Sequence, residues 1–564
     1  MKTNAVSILV CFFFVYLLSA NLSNAQPGFY DEYYFTAADS LRGMLLPQRS
    51  CYDVHYYELD LRIEPSERSI QGVVNIHFTA VESFERLQID LYDDFQVENI
   101  TYQGQSLFFE RLHQALLVNM PNPIEQGKQG VLVVRYKGQP QMTDDAPWNE
   151  GFVWSKSKSG KDWVGVACEG AGASMWWPCK DHLSDEPDSV SLKIAVPPDL
   201  KAICNGNLLE VRPLPDGYLS FHWKVSYPIN SYNITVNIGE FSHFSDTYYD
   251  KDSMPLQMDY YVLPENLKKA KKHFRQTKRV LKAFEHYFGK YPFPKDGYAL
   301  VETPYLGMEH QGAIAYGNKY RRGYLGETHQ SHMDWDYIIV HETAHEYFGN
   351  SISCKDMAEV WIHESFATYM EALFVEYEYG YKDAVDYLNY NRRIPAIYNK
   401  EPILGPLNVN WEEWKHSDHY YKGAWMLHSL RHAISDDEVW FPMLRDLYEA
   451  FQMQEVDSKD IIGFINDYTR TDYSTFFDQY LNYAKLPFFH YKLRKIDGGV
   501  RLYYRWKAAA PGFNMPILVG DRSHYQMIYP KSEWQEIDLP GIRYRHFKVA
   551  TELFLVRVEH ERWR

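Results

Sequence analysis

The chain has 564 residues, enough for several domains, and 45% of them are hydrophobic, which is ample for packed cores. Its formal net charge of −16 argues against a nucleic-acid partner, because binding phosphates requires an excess of basic surface. It contains no internal repeat and no long low-complexity segment, so its composition is that of a globular protein.

The amino-terminal residues have the pattern of an export signal. Lys2 precedes an apolar segment over residues 5–20, and Ser23-Asn24-Ala25 before Gln26 suits cleavage by signal peptidase. The apolar segment is short for a membrane span. We therefore predict a cleaved signal peptide over residues 1–25, with an uncleaved anchor as the alternative. The mature protein is then expected in the periplasm or outside the cell, without stable membrane insertion.

From about residue 50 to 245 the hydrophobic pattern has the period of β-strands. Tyr57, Leu59, Leu61 and Ile63 alternate with charged residues, and further short segments repeat this alternation between turn signals. Such a series is typical of a sandwich or a saddle-like sheet. We therefore predict an N-terminal β domain over residues 26–245.

Helical periodicity dominates from about residue 264 to 485, with a short mixed stretch at 297–318. Near its start, the lysines between 268 and 272 lie opposite an apolar helix face, which indicates a solvated basic face rather than a binding patch. This part of the chain, residues 246–487, is predicted to form a mostly helical domain.

The pattern returns to β from about residue 488. Asp497-Gly498-Gly499 is a hairpin turn signal between two apolar segments. The segment from Leu553 to Glu559 has the composition of a last strand. We predict a small C-terminal β domain over residues 488–564, which makes the fold class α+β and multidomain.

The cysteines offer no metal site of their own. Removal of the signal peptide would leave Cys51, Cys168, Cys179, Cys204 and Cys354, none of which has the spacing of a zinc site. An odd number leaves at least one unpaired thiol in a monomer. A bridge between Cys168 and Cys179 stays open at this point.

The segment His341-Glu342-Thr343-Ala344-His345 carries the clearest chemical information. Residues four apart share one face of a helix, so both imidazoles can bind one ion. Asp334 and Asp336 ahead of the apolar residues 337–340 suit a helix N-terminus, and Gly349-Asn350 supplies a stop signal. Glu342 lies where a carboxylate can take a proton from a water molecule beside that ion.

A third ligand is expected on the next helical stretch, from about Glu359 to Tyr379. Glu364 lies in its first turns, and two His with one carboxylate leave one zinc position open, which is the catalytic arrangement. His363 adjoins it, but neighbours on a helix point about 100° apart, so we assign the glutamate. Glu371 follows two turns later on the same face, either as an orienting partner of a ligand or as a solvated side chain.

These motifs resemble those of peptidase family M1, the zinc aminopeptidases of the gluzincin type. In that family the glutamate ligand follows HExxH after eighteen residues, as Glu364 follows His345 here. The family's Gly-Asn pair matches Gly349-Asn350, and its Asn before the glutamate is replaced by His363. The resemblance implies one Zn²⁺ per chain, held by His341, His345 and Glu364.

The segment Leu306-Gly307-Met308-Glu309-His310 is similar to the Gly-x-Met-Glu-Asn segment of the family. The resemblance implies that Gly307, Met308 and Glu309 bind substrate, with the Glu309 carboxylate on its free α-amine. Leu306 and His310 replace the family's Gly and Asn, changes that affect the shape of the pocket but leave the anionic anchor in place.

The segment Tyr420-Tyr421-Lys422-Gly423 is similar to the family's Tyr-x-Lys-Gly. The spacing implies that Tyr420 is the catalytic tyrosine, with Tyr421 as the alternative. With 46 tyrosines in the chain, this motif has weight only beside the others.

Glu169 precedes the pair Pro178-Cys179 by about nine residues, where members of the family carry a Gln or Glu that also contacts the substrate amine. Ser174 stands near the position of an Arg that is common in the family. The resemblance implies a substrate-binding role for Glu169, and an ordinary loop glutamate is the alternative.

The resemblance implies a thermolysin-like catalytic domain for residues 246–487 and aminopeptidase activity with Glu342 as general base. The partners would be peptides with a free N-terminal amine, and the sequence leaves the oligomeric state undefined. An endopeptidase or an epoxide hydrolase on the same zinc site is the enzymatic alternative. An inactive peptide-binding scaffold is the other, although every expected ligand and the general base are present.

Overall fold

The computed structural model describes residues 29–30, 33–327, 330–398, 400–410, 414–521 and 523–562, without the side chain of residue 391. The predicted signal peptide, residues 1–25, lies outside the described residues. The chain forms two compact units. The first comprises residues up to 240 with 355–359 and 405–413, and the second comprises 241–354, 360–404 and 414 onward.

The first unit is built mainly of β-strands, preceded by the short helices α1 (Ala37–Gly43) and α2 (Pro47–Ser50). Its strands are β1 (Tyr52–Glu64), β2 (Ser69–Ala80), β3 (Phe84–Asp90), β4 (Phe95–Tyr102), β5 (Gln105–Ser106), β6 (Phe109–Leu112), β7 (Ala115–Ile124), β8 (Gln129–Gly138), β9 (Gly151–Lys156), β10 (Asp162–Ala167), β11 (Ser189–Val196), β12 (Lys201–Cys204), β13 (Asn207–Pro213), β14 (Leu219–Val225) and β15 (Val236–Gly239). In the described part they form an eight-stranded sheet of order β13-β14-β11-β1-β2-β8-β4-β5, a sheet of order β12-β15-β10-β9 and a sheet of order β3-β7-β6.

The apolar residues that alternate along β1 in the sequence form a buried face of the large sheet. Tyr57, Leu59, Leu61 and Ile63 on β1 are each at most 1% exposed. In the middle of the sheet β1 pairs antiparallel with β2 and parallel with β11. Because side chains on a strand alternate between its two faces, one apolar face is enough to set this register.

A buried ion pair ties α2 to the end of β3. The Arg49 guanidinium lies 2.7 Å from the Asp90 carboxylate, and both side chains are 0% exposed. Asp90 also accepts hydrogen bonds from the Gln88 side chain at 2.7 Å and from the backbone N–H of Asp181 at 3.0 Å. The Asp90 carboxylate therefore also holds Asp181, which lies on the loop between β10 and β11.

The second unit begins with a mixed sheet and continues as a helical body. Its strands are β16 (Ser242–Tyr249), β17 (Pro255–Val262), β18 (Tyr298–Glu302), β19 (Gly307–Met308), β20 (Ile314–Tyr316), β21 (Ile352–Cys354), β22 (Gln454–Val456), β23 (Phe488–Ile496), β24 (Gly499–Lys507), β25 (Ile517–Asp521), β26 (His524–Ile528), β27 (Gln535–Pro540), β28 (Lys548–Val549) and β29 (Arg557–His560). Its helices are α3 (Leu267–His273), α4 (Gln276–Tyr287), α5 (Tyr337–His345), α6 (Trp361–Tyr379), α7 (Tyr381–Tyr387), α8 (Arg393–Ile397), α9 (Gly423–Ile434), α10 (Asp437–Phe451), α11 (Ser458–Thr469) and α12 (Ser474–Leu481).

The mixed stretch predicted at 297–318 supplies three strands of one sheet, of order β16-β17-β18-β20-β19. The two-residue strand β19 ends this sheet and runs antiparallel to β20, with Gly307 opposite Tyr316 and Met308 opposite Ala315. The segment similar to Gly-x-Met-Glu-Asn is therefore held at a sheet edge. The lysines of α3 are exposed, as expected for a solvated face.

Beyond residue 487 the chain forms the predicted hairpin, and Ile496 pairs with Gly499 across a two-residue turn. The last strand differs from the prediction, because β29 begins at Arg557 instead of Leu553. The N–H of Leu555 donates to the Ser429 hydroxyl at 2.9 Å, and its carbonyl accepts from the Tyr480 hydroxyl at 2.8 Å. The apolar residues there pack on helices and not in a strand ladder.

The predicted fold class, α+β with a β-rich N-terminal region, a mostly helical region and a C-terminal β region, is confirmed. The five described cysteines are all buried thiols, and the Cys168–Cys179 bridge left open by the sequence is not formed. Among the described residues, no helix has both the length and the apolar character needed to cross a membrane.

Replacement of Arg49 by Met is expected to destabilise the protein by about 3–5 kcal/mol, because it leaves the Asp90 carboxylate buried without its cation. Urea unfolding monitored by circular dichroism measures the loss. The matched control is Lys137→Met, which breaks a pair with Glu98 whose side chains are 49% and 35% exposed. That pair should contribute less than about 1 kcal/mol. Equal losses for both variants would contradict the role given to burial.

Candidate active site

Helix α5 presents the two predicted histidine ligands on one face. It begins after Asp336, whose side chain caps the helix by accepting the N–H of Ile338 at 2.9 Å. An N-cap carboxylate satisfies a backbone donor that would otherwise be buried unpaired. His341 and His345 are one helical turn apart and only 6% and 1% exposed.

Glu364 in the first turn of α6 completes a triangle with these two imidazoles. The two Nε2 atoms are 3.2 Å apart, and Glu364 Oε2 lies 3.4 Å from that of His341 and 3.3 Å from that of His345. A tetrahedral zinc ion with bonds of about 2.0–2.1 Å separates its ligand atoms by about 3.3–3.4 Å. The triangle therefore has the size that zinc requires. Among the described residues it is the one cluster of three such side chains that could hold a metal ion.

The other ring nitrogen of each histidine is held by a partner of its own. Nδ1 of His341 lies 2.8 Å from Oε1 of Glu371, and Nδ1 of His345 lies 3.0 Å from the carbonyl of Phe348. A proton on Nδ1 satisfies both contacts and leaves the Nε2 lone pairs turned toward the triangle. The sequence raised Glu371 as an orienting partner, and the structure brings it into this contact.

Glu342 lies between the two histidines on α5 and is 6% exposed. Burial raises the pKa of its carboxyl to about 8, against the opposing effect of the two neighbouring imidazoles. A cation on those imidazoles would lower it again. Gly307 makes room for this carboxylate, since a Cβ there would lie 2.7 Å from Glu342 Oε1 and 2.8 Å from Ile338 Cγ2.

Glu309 follows β19 directly and is 3% exposed. Its charge acts on both Glu342 and His345, whose pKa values it raises, so the structure brings it to the same site. The residues after the HExxH motif hold this segment in place. The Asn350 side chain donates to the carbonyl of Glu309 at 2.8 Å, and the Glu346 carboxylate accepts the N–H of Gly312 at 2.8 Å.

Tyr420 lies on a π-helical turn, Asp418–Lys422, that leads into α9. Its ring stacks 6.2 Å from that of His341, with 26° between the planes. The Ser365 hydroxyl, next to Glu364, donates to the carbonyl of His419 at 2.6 Å and holds the turn beside α6. Gly423 permits this approach, because a Cβ there would lie 1.6 Å from the same hydroxyl oxygen.

Comparison with known proteins agrees with this geometry. Residues 53–233 match the model of the peptidase M1 N-terminal domain, and residues 272–480 match that of the peptidase family M1 domain. The chain belongs to peptidase family M1.

Two relatives with aminopeptidase names are distant from this chain in sequence. The chain is 23% identical over 430 residues to probable aminopeptidase 1 of Saccharolobus solfataricus, covering 74% of this chain and 51% of that protein. It is 24% identical over 407 residues to endoplasmic reticulum aminopeptidase 1 of Homo sapiens, covering 68% of this chain and 42% of that protein. The chain thus spans about half the length of these relatives.

A solved M1 structure shows the same fold. It is the M1 zinc metallopeptidase of Deinococcus radiodurans, in a variant bound to a Tyr-Ser-Ala substrate. The TM-score is 0.63 at 21% identity, and the match covers 77% of this chain and 95% of that chain. At this identity the likeness establishes the fold alone.

The structure explains one departure from the M1 pattern. His363 stands where the family has Asn, and its Nε2 accepts the backbone N–H of Cys354 at 2.8 Å. Burial lowers the pKa of this imidazole to about 3, so it stays neutral and can accept. His363 therefore anchors β21, whereas the neighbouring Glu364 forms one corner of the triangle.

Glu169 lies in the first unit, on the loop after β10, and is half-buried. The Glu150 carboxylate holds this loop by accepting consecutive backbone N–H groups from Glu169, from Gly170 at 2.8 Å and from Ala171 at 3.1 Å. Asp181 holds the next part, accepting the N–H of Ser174 at 3.0 Å. The loop is fixed, and the role of Glu169 stays a prediction.

Several residues of the site escaped the sequence analysis. Arg392 and Tyr387 both bind Glu371, and Glu346 with Asn350 holds the segment that carries Glu309. The signal for Asn350 is its place in the Gly-Asn pair, which indicates a helix stop and matches the family motif but gives no role to the side chain. Arg392 and Tyr387 had no signal, because they belong to no motif.

Replacement of Gly307 by Ala is expected to lower kcat by about 10²-fold, because the new methyl group must displace the Glu342 carboxylate. Zinc content should not change, since no ligand is moved. Steady-state kinetics on an aminoacyl chromogenic substrate and metal analysis measure both. The control is Gly463→Ala on α11, where a Cβ meets nothing within 4 Å. A kcat for Gly307→Ala equal to that of the control would contradict the spatial argument.

Proposed function

We propose that this protein is a zinc-dependent aminopeptidase that removes the N-terminal residue of peptides. The proposal rests on one observation, which is that three groups of buried side chains lie close together. These are the ligand triangle of His341, His345 and Glu364, the Glu342 carboxylate between the histidines, and the Glu309 carboxylate on the adjoining strand end. One zinc ion per chain is expected, because the described residues hold one such triangle.

The proposed reaction assigns a separate task to each side chain. A bound zinc ion would act as a Lewis acid toward water and toward the scissile carbonyl. Glu342 takes the proton of the attacking water and delivers it to the leaving amine. The Tyr420 hydroxyl donates a hydrogen bond to the negative charge that develops on the carbonyl oxygen, a contact whose loss usually costs about 10²–10³ in turnover.

Glu309 supports the choice of an aminopeptidase over an endopeptidase. Its buried carboxylate has a natural counterion in the α-ammonium group of an uncapped peptide, whereas cleavage inside a chain requires no such anchor. Gly307 and Met308 on β19 fix the backbone beside it. The substrate-binding role of Glu169 is proposed on the sequence resemblance.

The relatives support a peptide substrate. Two of them are named as aminopeptidases, and the solved M1 enzyme of Deinococcus radiodurans was captured with a Tyr-Ser-Ala substrate. A free amine is present on such a tripeptide, which agrees with the proposed anchoring by Glu309.

Replacement of Glu342 by Gln should abolish peptide hydrolysis while leaving one zinc ion per chain, because the amide cannot accept the proton but keeps the shape of the site. Turnover and metal content measured on the same preparation test this. Glu449→Gln, on the exposed face of α10, serves as the control for handling and charge. Near-normal turnover in Glu342→Gln would remove the general-base assignment.

Replacement of Glu309 by Ala should raise KM for peptides with a free amine by about 10–100-fold, the equivalent of one charge-assisted hydrogen bond. N-acetylated peptides of the same sequence should resist the unmodified enzyme. Mass spectrometry of the products shows which bond is cut. Equal cleavage of capped and uncapped peptides at internal bonds would favour an endopeptidase, and hydrolysis of neither would refute peptidase activity.

A further inference from the structure

Glu371 connects the zinc-ligand His341 to a second layer of buried polar side chains. The carboxylate is 0% exposed, and its two oxygens have different partners. Oε1 faces Nδ1 of His341 at 2.8 Å, whereas Oε2 accepts from the Tyr387 hydroxyl at 2.5 Å and from Nη2 of Arg392 at 2.8 Å. Nε of Arg392 reaches the same oxygen at 3.2 Å. The orientation of Glu371 is thus set on the side away from the metal site.

Aromatic rings confine the Arg392 guanidinium. Its central carbon lies 5.3 Å from the ring centre of Tyr337, 5.4 Å from that of Tyr387 and 4.9 Å from that of Tyr421. A planar cation between ring faces gains cation–π attraction and loses rotational freedom. Only 11% of its side chain is exposed, so these contacts restrict the orientation of Arg392.

Two of these rings also contact the catalytic groups. Tyr337 stacks on His341 with ring centres 5.2 Å apart and 15° between the planes. Tyr421 neighbours Tyr420, with ring centres 6.2 Å apart, and the ring of Tyr420 in turn stacks on that of His341. Arg392 therefore borders both the support of a zinc ligand and the turn that carries the proposed oxyanion donor.

Arg392 lies in a segment with a rare helical conformation. It ends a π-helical segment, Leu388–Arg392, and Tyr421 lies on the second π-helical segment, Asp418–Lys422. Such widened turns are rare and concentrate at functional sites. Here each of the two carries one member of the Arg392–Tyr421 contact.

We propose that Arg392 is a positioning residue for the metal site, an inference that rests on the zinc site of the proposed function. Through Glu371 it keeps Nε2 of His341 turned toward the ligand triangle, and through Tyr421 it fixes the turn that carries Tyr420. Lysine could not replace it, because a point charge neither reaches Oε2 with two donors nor stacks between rings.

The test compares zinc affinity and turnover of Arg392→Met and Arg392→Lys with the unmodified enzyme. Competition with a chromogenic chelator should show zinc binding about 10–100-fold weaker in Arg392→Met, the usual effect of losing an outer partner of a ligand. Arg392→Lys should recover only part of it. At saturating zinc, kcat should stay reduced with KM little changed. The visible spectrum of the cobalt-substituted protein should also differ, because it reports the ligand geometry.

The matched control is Arg431→Met. Arg431 is likewise buried, pairs with Glu376 on the same helix α6 at 2.7 Å, and lies over the rings of Tyr381 and Phe441. It should lose comparable thermal stability but keep the zinc affinity and cobalt spectrum of the unmodified protein. A readout that changes equally in both variants would indicate a merely structural role.

The outcomes separate this inference from the proposed function. Unmodified protein without stoichiometric zinc or peptidase activity would refute the proposed function itself. An active zinc enzyme whose Arg392→Met variant keeps normal metal affinity and kcat would overturn the positioning role alone. If Arg392→Met does not fold, Arg392→Lys decides the question, since normal zinc affinity in that variant would also contradict the proposal.

Discussion

The packing of α5 against α6 is the contact on which the site depends. It brings two imidazoles and two carboxylates together where each residue is at most 6% exposed, and burying so many polar groups is costly unless each has a partner. His341 has Glu371, His345 has the carbonyl of Phe348, and Glu364 faces both rings. With these partners on the outer side, the inner ligand atoms converge on the position proposed for the metal ion.

The end of α5 and the residues after it also position β19, the strand proposed to bind substrate. Glu346 and Asn350, which follow the HExxH residues, hold the backbone of Gly312 and Glu309. The two histidines of the triangle, the proposed general base and the backbone of the proposed amine anchor are therefore all held by one short stretch of chain, and a small shift of α5 would move them together. Functional groups supported in this way keep their separations, which is the requirement for catalysis by orientation.

The site also requires the backbone to lie very close to neighbouring side chains at two glycines. Gly307 lets β19 reach the Glu342 carboxylate, and Gly423 lets α9 start against Ser365. Neither glycine is there for a turn with positive φ; each is there because any side chain would occupy space that a functional group needs. Arg392 and Tyr420 both lie on π-helical turns, a rare conformation that concentrates at functional sites.

Most elements and all the motif positions could be predicted from the order of the amino acids. Strand and helix periods depend on neighbours a few residues away, so the alternation of β1 and the shared face of His341 and His345 could be predicted. Three features could not be predicted and follow from the packing of the folded chain. They are the partners of Glu371, the start of β29 after Leu555, and the contact of Tyr421 with Arg392. These join residues far apart in the chain, and no local pattern records them, because such contacts follow from how whole elements pack and which buried polar group must find a partner.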